Sequence, residues 1–152
     1  MNYKFFGQWR YGKIFAMLMY DYLKDLHLED NFDLVTMVPI SRKRFLERGY
    51  NQTEFLAEPL ADMLGIAFDG NCIFKKRHNK TQSSVGRIAQ RYENVRDAYL
   101  ADVKKVKGRN ILLVDDVFTS GATMKSCAKE LVEKGAKSVV GITLAKTVNK
   151  HV

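Results

Sequence analysis

A chain of 152 residues with 46% hydrophobic and 28% charged side chains suits one globular domain with a real core. The formal net charge of +8 favours polyanionic partners, and charge alone does not separate nucleic acid from a small ligand rich in phosphates. The apolar run at residues 14–20 is far too short to span a bilayer, and no signal-peptide layout surrounds it, so no membrane insertion is expected.

Residues 1–10, MNYKFFGQWR, set Tyr3, Phe5, Phe6 and Trp9 among basic residues. They read as an N-terminal arm packed on the domain, with a base-stacking surface as the alternative. A helix is predicted from Tyr11 to Leu26, with Tyr11, Ile14, Phe15, Leu18 and Tyr22 as its buried stripe. His27 falls near its end as a surface residue. Phe32 to Val38 reads as the first parallel strand, stopped by Pro39. The loop behind it, Ile40 to Arg44, starts on a hydroxyl and runs into three cations. Backbone amides and Ser41 can donate to a pyrophosphate there, while Arg42 and Lys43 neutralise its charge. The plain alternative is a solvated basic turn. Position favours the ligand, because open parallel sheets bind at the carboxyl ends of their strands.

The next helix lies between Gly49 and Gly65. Asn51 is its expected N-cap with Glu54 in the reciprocal position, and Leu56, Leu60, Met63 and Leu64 face inward. Pro59 removes one hydrogen bond and predicts a kink or a broken start. A second strand is expected around Cys72, Ile73 and Phe74. From Lys75 to Arg96 the chain is polar and cation-rich without a clean period. Residues 75–97 read as a flexible loop whose cations close over a pyrophosphate and exclude water, with a disordered charged loop as the alternative. Ala98 to Ala101 reads as a short strand and Lys104 to Arg109 as a basic turn. Cys72 and Cys127 lack CxxC or metal-ligand spacing and read as small core residues in a reducing cytosol.

The stretch Ile111 to Thr123, ILLVDDVFTSGAT, organises the rest. Ile111 to Val114 read as a strand buried on both faces. Asp115 and Asp116 follow, then a short turn, Thr119, Ser120, Gly121, Ala122 and Thr123. A helix comes next, with Met124, Cys127, Ala128, Leu131 and Val132 on one face and Gly135 at its C-terminal cap. Backbone N–H groups at such a helix start carry partial positive charge and cradle a phosphate, helped by the hydroxyls. Ionised carboxylates only accept hydrogen bonds, so the acidic pair suits a sugar with two free hydroxyls. The pair can also offset positive charge developing on a ribose ring. A buried strand, an exposed turn and an ordinary N-cap are the bland alternative. There is no GxxxxGK[ST] and no GxGxxG after a strand, which removes P-loop and dinucleotide sites. No Asp follows Asp116, which removes a response-regulator receiver. Ser138 to Ala145 gives the last strand, and residues 146–152 a frayed tail. The fold class expected is a three-layer open parallel sheet flanked by helices, a single domain over residues 1–152.

The order of acidic pair, hydroxyl run and Gly121 resembles the 5-phosphoribosyl-1-pyrophosphate (PRPP) motif of type I phosphoribosyltransferases. With VPISRKRFLERGYNQTEFLA and the TQSS…R…ENVRDAY stretch, the chain resembles the ComF/GntX group of competence proteins from about Tyr3 to Ala145. The resemblance implies that Asp115 and Asp116 hold the ribose 2′ and 3′ hydroxyls. Thr119, Ser120, Gly121, Ala122 and Thr123 hold the 5-phosphate, and Ser41, Arg42 and Lys43 meet the pyrophosphate. Arg77, Arg87 and Arg91 belong to the closing loop. It implies Mg²⁺ held through PRPP rather than by a protein cage. Members carry a four-cysteine zinc module ahead of this domain. Its cysteines are missing here, so the chain reads as a truncated piece or a natural variant, and no zinc is expected. A cytoplasmic location, a role in DNA uptake, and single-stranded DNA and competence machinery proteins as partners follow from the same resemblance. Three functions stay open. One is transfer of phosphoribosyl to an unidentified nitrogen acceptor. Another is a non-catalytic PRPP sensor or single-strand DNA adaptor. The third is a partner-binding subunit whose site is vestigial, against which the intact acidic pair and hydroxyl loop argue.

Overall fold

The structure, a computed structural model, describes residues 3–76 and 98–147, with side chains from Tyr11 onward. Helix α1 runs from Tyr3 to Asp25, so residues 3–10, expected as an arm, form its first turns. Strand β1 (Leu34–Met37) leads to a short helix α2 (Arg42–Arg48) and then α3 (Glu54–Leu64). Strands β2 (Ala67–Phe68), β3 (Ile73–Lys75) and β4 (Tyr99–Ala101) follow, then one helical turn α4 (Val103–Val106). Strand β5 (Asn110–Phe118), helix α5 (Ala122–Glu133) and strand β6 (Ser138–Lys146) complete the described chain.

Four strands form one parallel sheet in the order β2-β1-β5-β6. Strand β5 lies inside it, between β1 and β6, and Ile111 to Val114 are fully buried. Helices α1 and α3 cover one face, where Val35, Met37, Leu112, Val114 and Ile142 pack with Leu56 and Leu60. On the other face Leu34, Ile111 and Leu113 pack with Cys127 and Leu131 of α5. Two layers of helix around a parallel sheet require strands apolar on both sides, which is how β1 and β5 read. Cys72 and Cys127 are buried free thiols, as expected of core residues.

Four expectations change. The stripe predicted to bury α1 is the wrong one. Ala16, Met19 and Leu23 are buried with Gly12, whereas Tyr11, Ile14, Leu18 and Tyr22 are more than half exposed and Phe15 over a third. Small residues explain the choice, since a Cβ on Gly12 would overlap the carbonyl oxygen of Phe55 in α3. Hydrophobicity alone points to the bulky row, but close helix approach selects the small one. The expected second strand at residues 72–74 does not join the parallel sheet. Strand β3 pairs antiparallel with β4 in a separate sheet, and β2 takes the edge position instead. Helix α3 starts at Glu54 behind Thr53 rather than behind the expected cap Asn51, with Pro59 inside it as expected. Residues 104–109, read as a turn, contribute to α4, which Asp102 caps by accepting from Lys104 N–H at 2.9 Å.

Candidate functional site

The site forms where β1 and β5 end side by side. Met37 is in register with Val114, so the segments after them emerge at one edge of the sheet. Strand β5 runs four residues past its core stretch, through Asp115 and Asp116 to Phe118, held by pairing with β6. The carboxylates therefore stand on rigid strand rather than on loop. Each is also fixed locally. Asp116 N–H donates to Asp115 Oδ1 at 2.9 Å, and Val117 N–H donates to Asp116 Oδ1 at 2.8 Å.

The turn itself is only Thr119 to Gly121, because α5 begins at Ala122. Gly121 takes the N-cap position with φ +74°, a left-handed conformation that a glycine adopts without strain. The Phe118 ring fills the space where a Cβ would stand. Ser120 Oγ accepts from Ala122 N–H at 3.3 Å. Thr119, Ser120, Ala122 and Thr123 are exposed, so no other described segment buries the turn.

Opposite, Ser41 caps α2 and accepts from Arg44 N–H at 3.3 Å. The basic run expected as a loop is thus a helix, and its cations diverge. Arg44 and Arg48, four residues apart, share a pocket with Ser41. Arg42 lines a neighbouring hollow of about 690 Å³ that also holds Phe45, Tyr50 and Phe74. Lys43 is 86% exposed and reaches Glu47 at 3.9 Å. It does not face the pocket where a pyrophosphate was expected.

That pocket, about 560 Å³, brings Ser41, Asp115, Asp116, Thr119 and Thr123 together. Ser120, Gly121 and Ala122 form the turn beside it, outside its lining. Arg77, Arg87 and Arg91 lie outside the described residues. Sequence reasoning missed Arg44, Arg48, Asn51, Thr53, Lys75 and Tyr99, which also line it. Helical spacing from Arg44 to Arg48 was the available signal for the first two, had residues 42–48 been read as a helix. Asn51, expected to cap α3, instead fastens the pocket floor. Its Nδ2 donates to Val38 O at 2.9 Å, while its Oδ1 accepts from Thr53 N–H at 3.2 Å.

Burial pushes the Asp115 carboxyl up to about 6. The Asp116 N–H bond opposes that rise and the neighbouring Asp116 charge adds to it. Burial, joined by the Asp115 charge, pushes the Cys127 thiol up to about 12, which places Asp115 on the α5 side of the sheet. Burial also raises Tyr99, and its neighbour Thr123 opposes that rise. The pocket therefore combines one carboxyl, Asp115, raised to about 6 with hydroxyl and cationic donors. Among the described residues no three His, Cys, Asp or Glu side chains group as a metal cage. A divalent cation here would draw on ligand phosphates and water for most of its coordination.

Residues 52–151 match the phosphoribosyl transferase domain family. The chain belongs to that family. This phosphoribosyl transferase domain is 34% identical over 116 residues to the DNA utilization protein YhgH of Salmonella typhi, covering 76% of the chain and 50% of that protein. It is 31% identical over 145 residues to competence protein ComFC of Streptococcus pneumoniae, covering 95% of the chain and 60% of that protein. The chain therefore spans about half to three fifths of the length of these relatives. They agree with the ComF resemblance read from the motifs. The fold is shared with glutamine PRPP amidotransferase from B. subtilis (TM-score 0.57, 23% identity, 90% of this chain and 26% of that one). It is shared also with purine phosphoribosyltransferase from Pyrococcus horikoshii (TM-score 0.54, 20% identity, 93% and 76%). In the phosphoribosyl transferase domain the acidic pair and the hydroxyl turn thus occupy the carboxyl edge of a sheet of the expected class.

Proposed function

We propose that the chain binds the magnesium complex of PRPP in the 560 Å³ pocket and transfers its phosphoribosyl group to a nitrogen nucleophile. The carrying observation is that Asp115, Asp116, Thr119 and Thr123, from one stretch, and Ser41, from a segment far away in sequence, line one concavity. The ribose 2′ and 3′ hydroxyls donate to Asp115 and Asp116. The 5-phosphate sits on the Thr119–Thr123 turn at the start of α5, where amide N–H groups and hydroxyls donate. The pyrophosphate lies against Ser41 with Arg44 and Arg48, which take the place expected for Arg42 and Lys43. Mg²⁺ would be held mainly by the ligand's phosphates and water beside Asp115 and Asp116, where it would supply positive charge against the departing pyrophosphate. The carbon 1–oxygen bond breaks as the nucleophile bonds to carbon 1 from the opposite face. Positive charge developing on the ring in that step is offset by the carboxylates.

Titration calorimetry with PRPP and Mg²⁺ tests the binding. Wild type gives heat, and Asp115→Asn/Asp116→Asn gives little or none. No heat from wild type, or unchanged heat from the variant, defeats the reading. Pyrophosphate release across a panel of nitrogen bases tests transfer.

A second reading is supported by the charge of +8 and by relatives named for DNA utilization and competence: a binding-only adaptor for PRPP or single-stranded DNA. PRPP bound without turnover on any acceptor supports it. For DNA, affinity should fall steeply with salt, because Lys and Arg contacts to phosphates release counterions. A flat salt response removes that version.

A further inference from the structure

The exposed side of α1 calls for a partner. Tyr11, Ile14, Phe15, Leu18 and Tyr22 stand 37–63% exposed on α1, and Leu26, 48% exposed, follows just past its end. The steps 11, 15, 18 and 22 keep them on one side over three turns, the seam spacing of paired helices. Their row borders the buried one at Ala16, Met19 and Leu23, so α1 is apolar around well over half its circumference. A helix of that kind ordinarily has protein on both sides.

We infer that the occupant is a second copy of this chain, with the two α1 helices packed antiparallel about a two-fold axis near Leu18. Area is the first argument. Aromatic side chains carry about 150–250 Å² each, so three rings and three aliphatic chains at these exposures offer roughly 600 Å² per copy. Two copies reach about 1,200 Å², the lower bound of specific, stable interfaces. The same area left bare would be at the top of what monomers show, about 600 Å². Shape is the second. A straight row on a 23-residue helix is complementary to itself under a two-fold rotation, which closes the assembly at two. Charge sets the direction. Asp21 and Asp25 border the row in the last third of α1, where Lys24 turns off the row over the Tyr20 ring, while the first half holds Lys4, Arg10 and Lys13 and no acidic residue. A parallel pair would align the acidic residues with one another. An antiparallel pair brings them beside the partner's basic, dipole-positive end.

Sedimentation velocity of the 152-residue chain over about 1–100 µM measures the association. Wild type is expected to be a dimer in the upper part of that range, and Leu18→Asp a monomer with an unchanged circular dichroism spectrum and the melting temperature of dilute, dissociated wild type. Leu18→Cys should cross-link to a dimer on mild oxidation, since the two-fold axis brings the two thiols together. Met17→Cys, one residue off the row, should not. A wild-type monomer throughout overturns the inference, including one in which hydrogen exchange shows the α1 row covered by another part of the protein. So does a dimer that survives Leu18→Asp. PRPP calorimetry on the same monomeric variant keeps this result separate from the pocket.

Discussion

At the scale of single residues, Asp115 holds the tension in the site. Its carboxyl titrates near 6, above the ordinary value near 4. The folded state therefore binds that proton more tightly than the unfolded chain. The contribution to stability is full below about pH 4 and is lost as pH rises toward and through 6. Binding runs the other way, because only the ionised form accepts from two sugar hydroxyls. PRPP affinity measured by calorimetry should weaken as pH drops from 7 to 5, more than titration of the ligand's own phosphates accounts for. Asp115→Asn should flatten the part that belongs to the protein. Gly121 is the second decisive residue. An alanine there takes on a left-handed backbone costing about 1–2 kcal/mol, and its Cβ meets the Phe118 ring. Gly121→Ala should lower the unfolding free energy measured in urea by at least that amount and weaken PRPP binding further, since the turn must shift to make room.

At the scale of elements, the parts legible in the sequence were those with one dominant signal. Strands β1, β5 and β6 announce themselves as predominantly apolar, β-branched stretches, and Gly135, just past α5 with φ +95°, marks its end. What stayed hidden depended on partners far along the chain. The choice between the two rows of α1 turned on Gly12 meeting Phe55, a contact with α3 that periodicity does not contain. Helix α2 was masked because its seven residues have none buried, so no apolar stripe reports it. Only Ser41 ahead and Gly49 behind, with φ +81°, mark its ends. Reading residues 40–44 as a loop is why the pocket lining by Arg48, one helical turn after Arg44, went unseen. Gly12→Ala should lift α1 from α3 and cost about 1–3 kcal/mol by thermal or urea unfolding. Asn51→Ala leaves Val38 O without its 2.9 Å partner in a buried spot. A loss of about 1–3 kcal/mol is expected, with the β1 edge of the pocket loosened.

At the scale of the whole molecule, function and stability pull on the same edge of the sheet. The fold class and the position of the acidic pair could be read from ILLVDDVFTSGAT because strand, turn and helix are contiguous there. The pocket's other wall could not, since it is assembled from α2, Asn51 and Tyr99, more than ten residues away in sequence from that stretch. Two neighbouring carboxylates, one of them raised by burial, are a cost that the empty protein carries and a ligand relieves. Asp115→Asn should therefore raise the melting temperature of the ligand-free chain at pH 7, with the gain shrinking toward pH 4.5 as wild-type Asp115 takes up its proton. Mg·PRPP at 100 times its dissociation constant stabilises wild type by about 2.7 kcal/mol. For a chain of this size that is roughly 5–10 °C in melting temperature. The variant should show almost none of that ligand shift. Paired thermal melts with and without ligand read both effects at once. A variant that is less stable when empty, or that keeps the full ligand shift, would mean that Asp115 is a structural residue and not the sugar's partner.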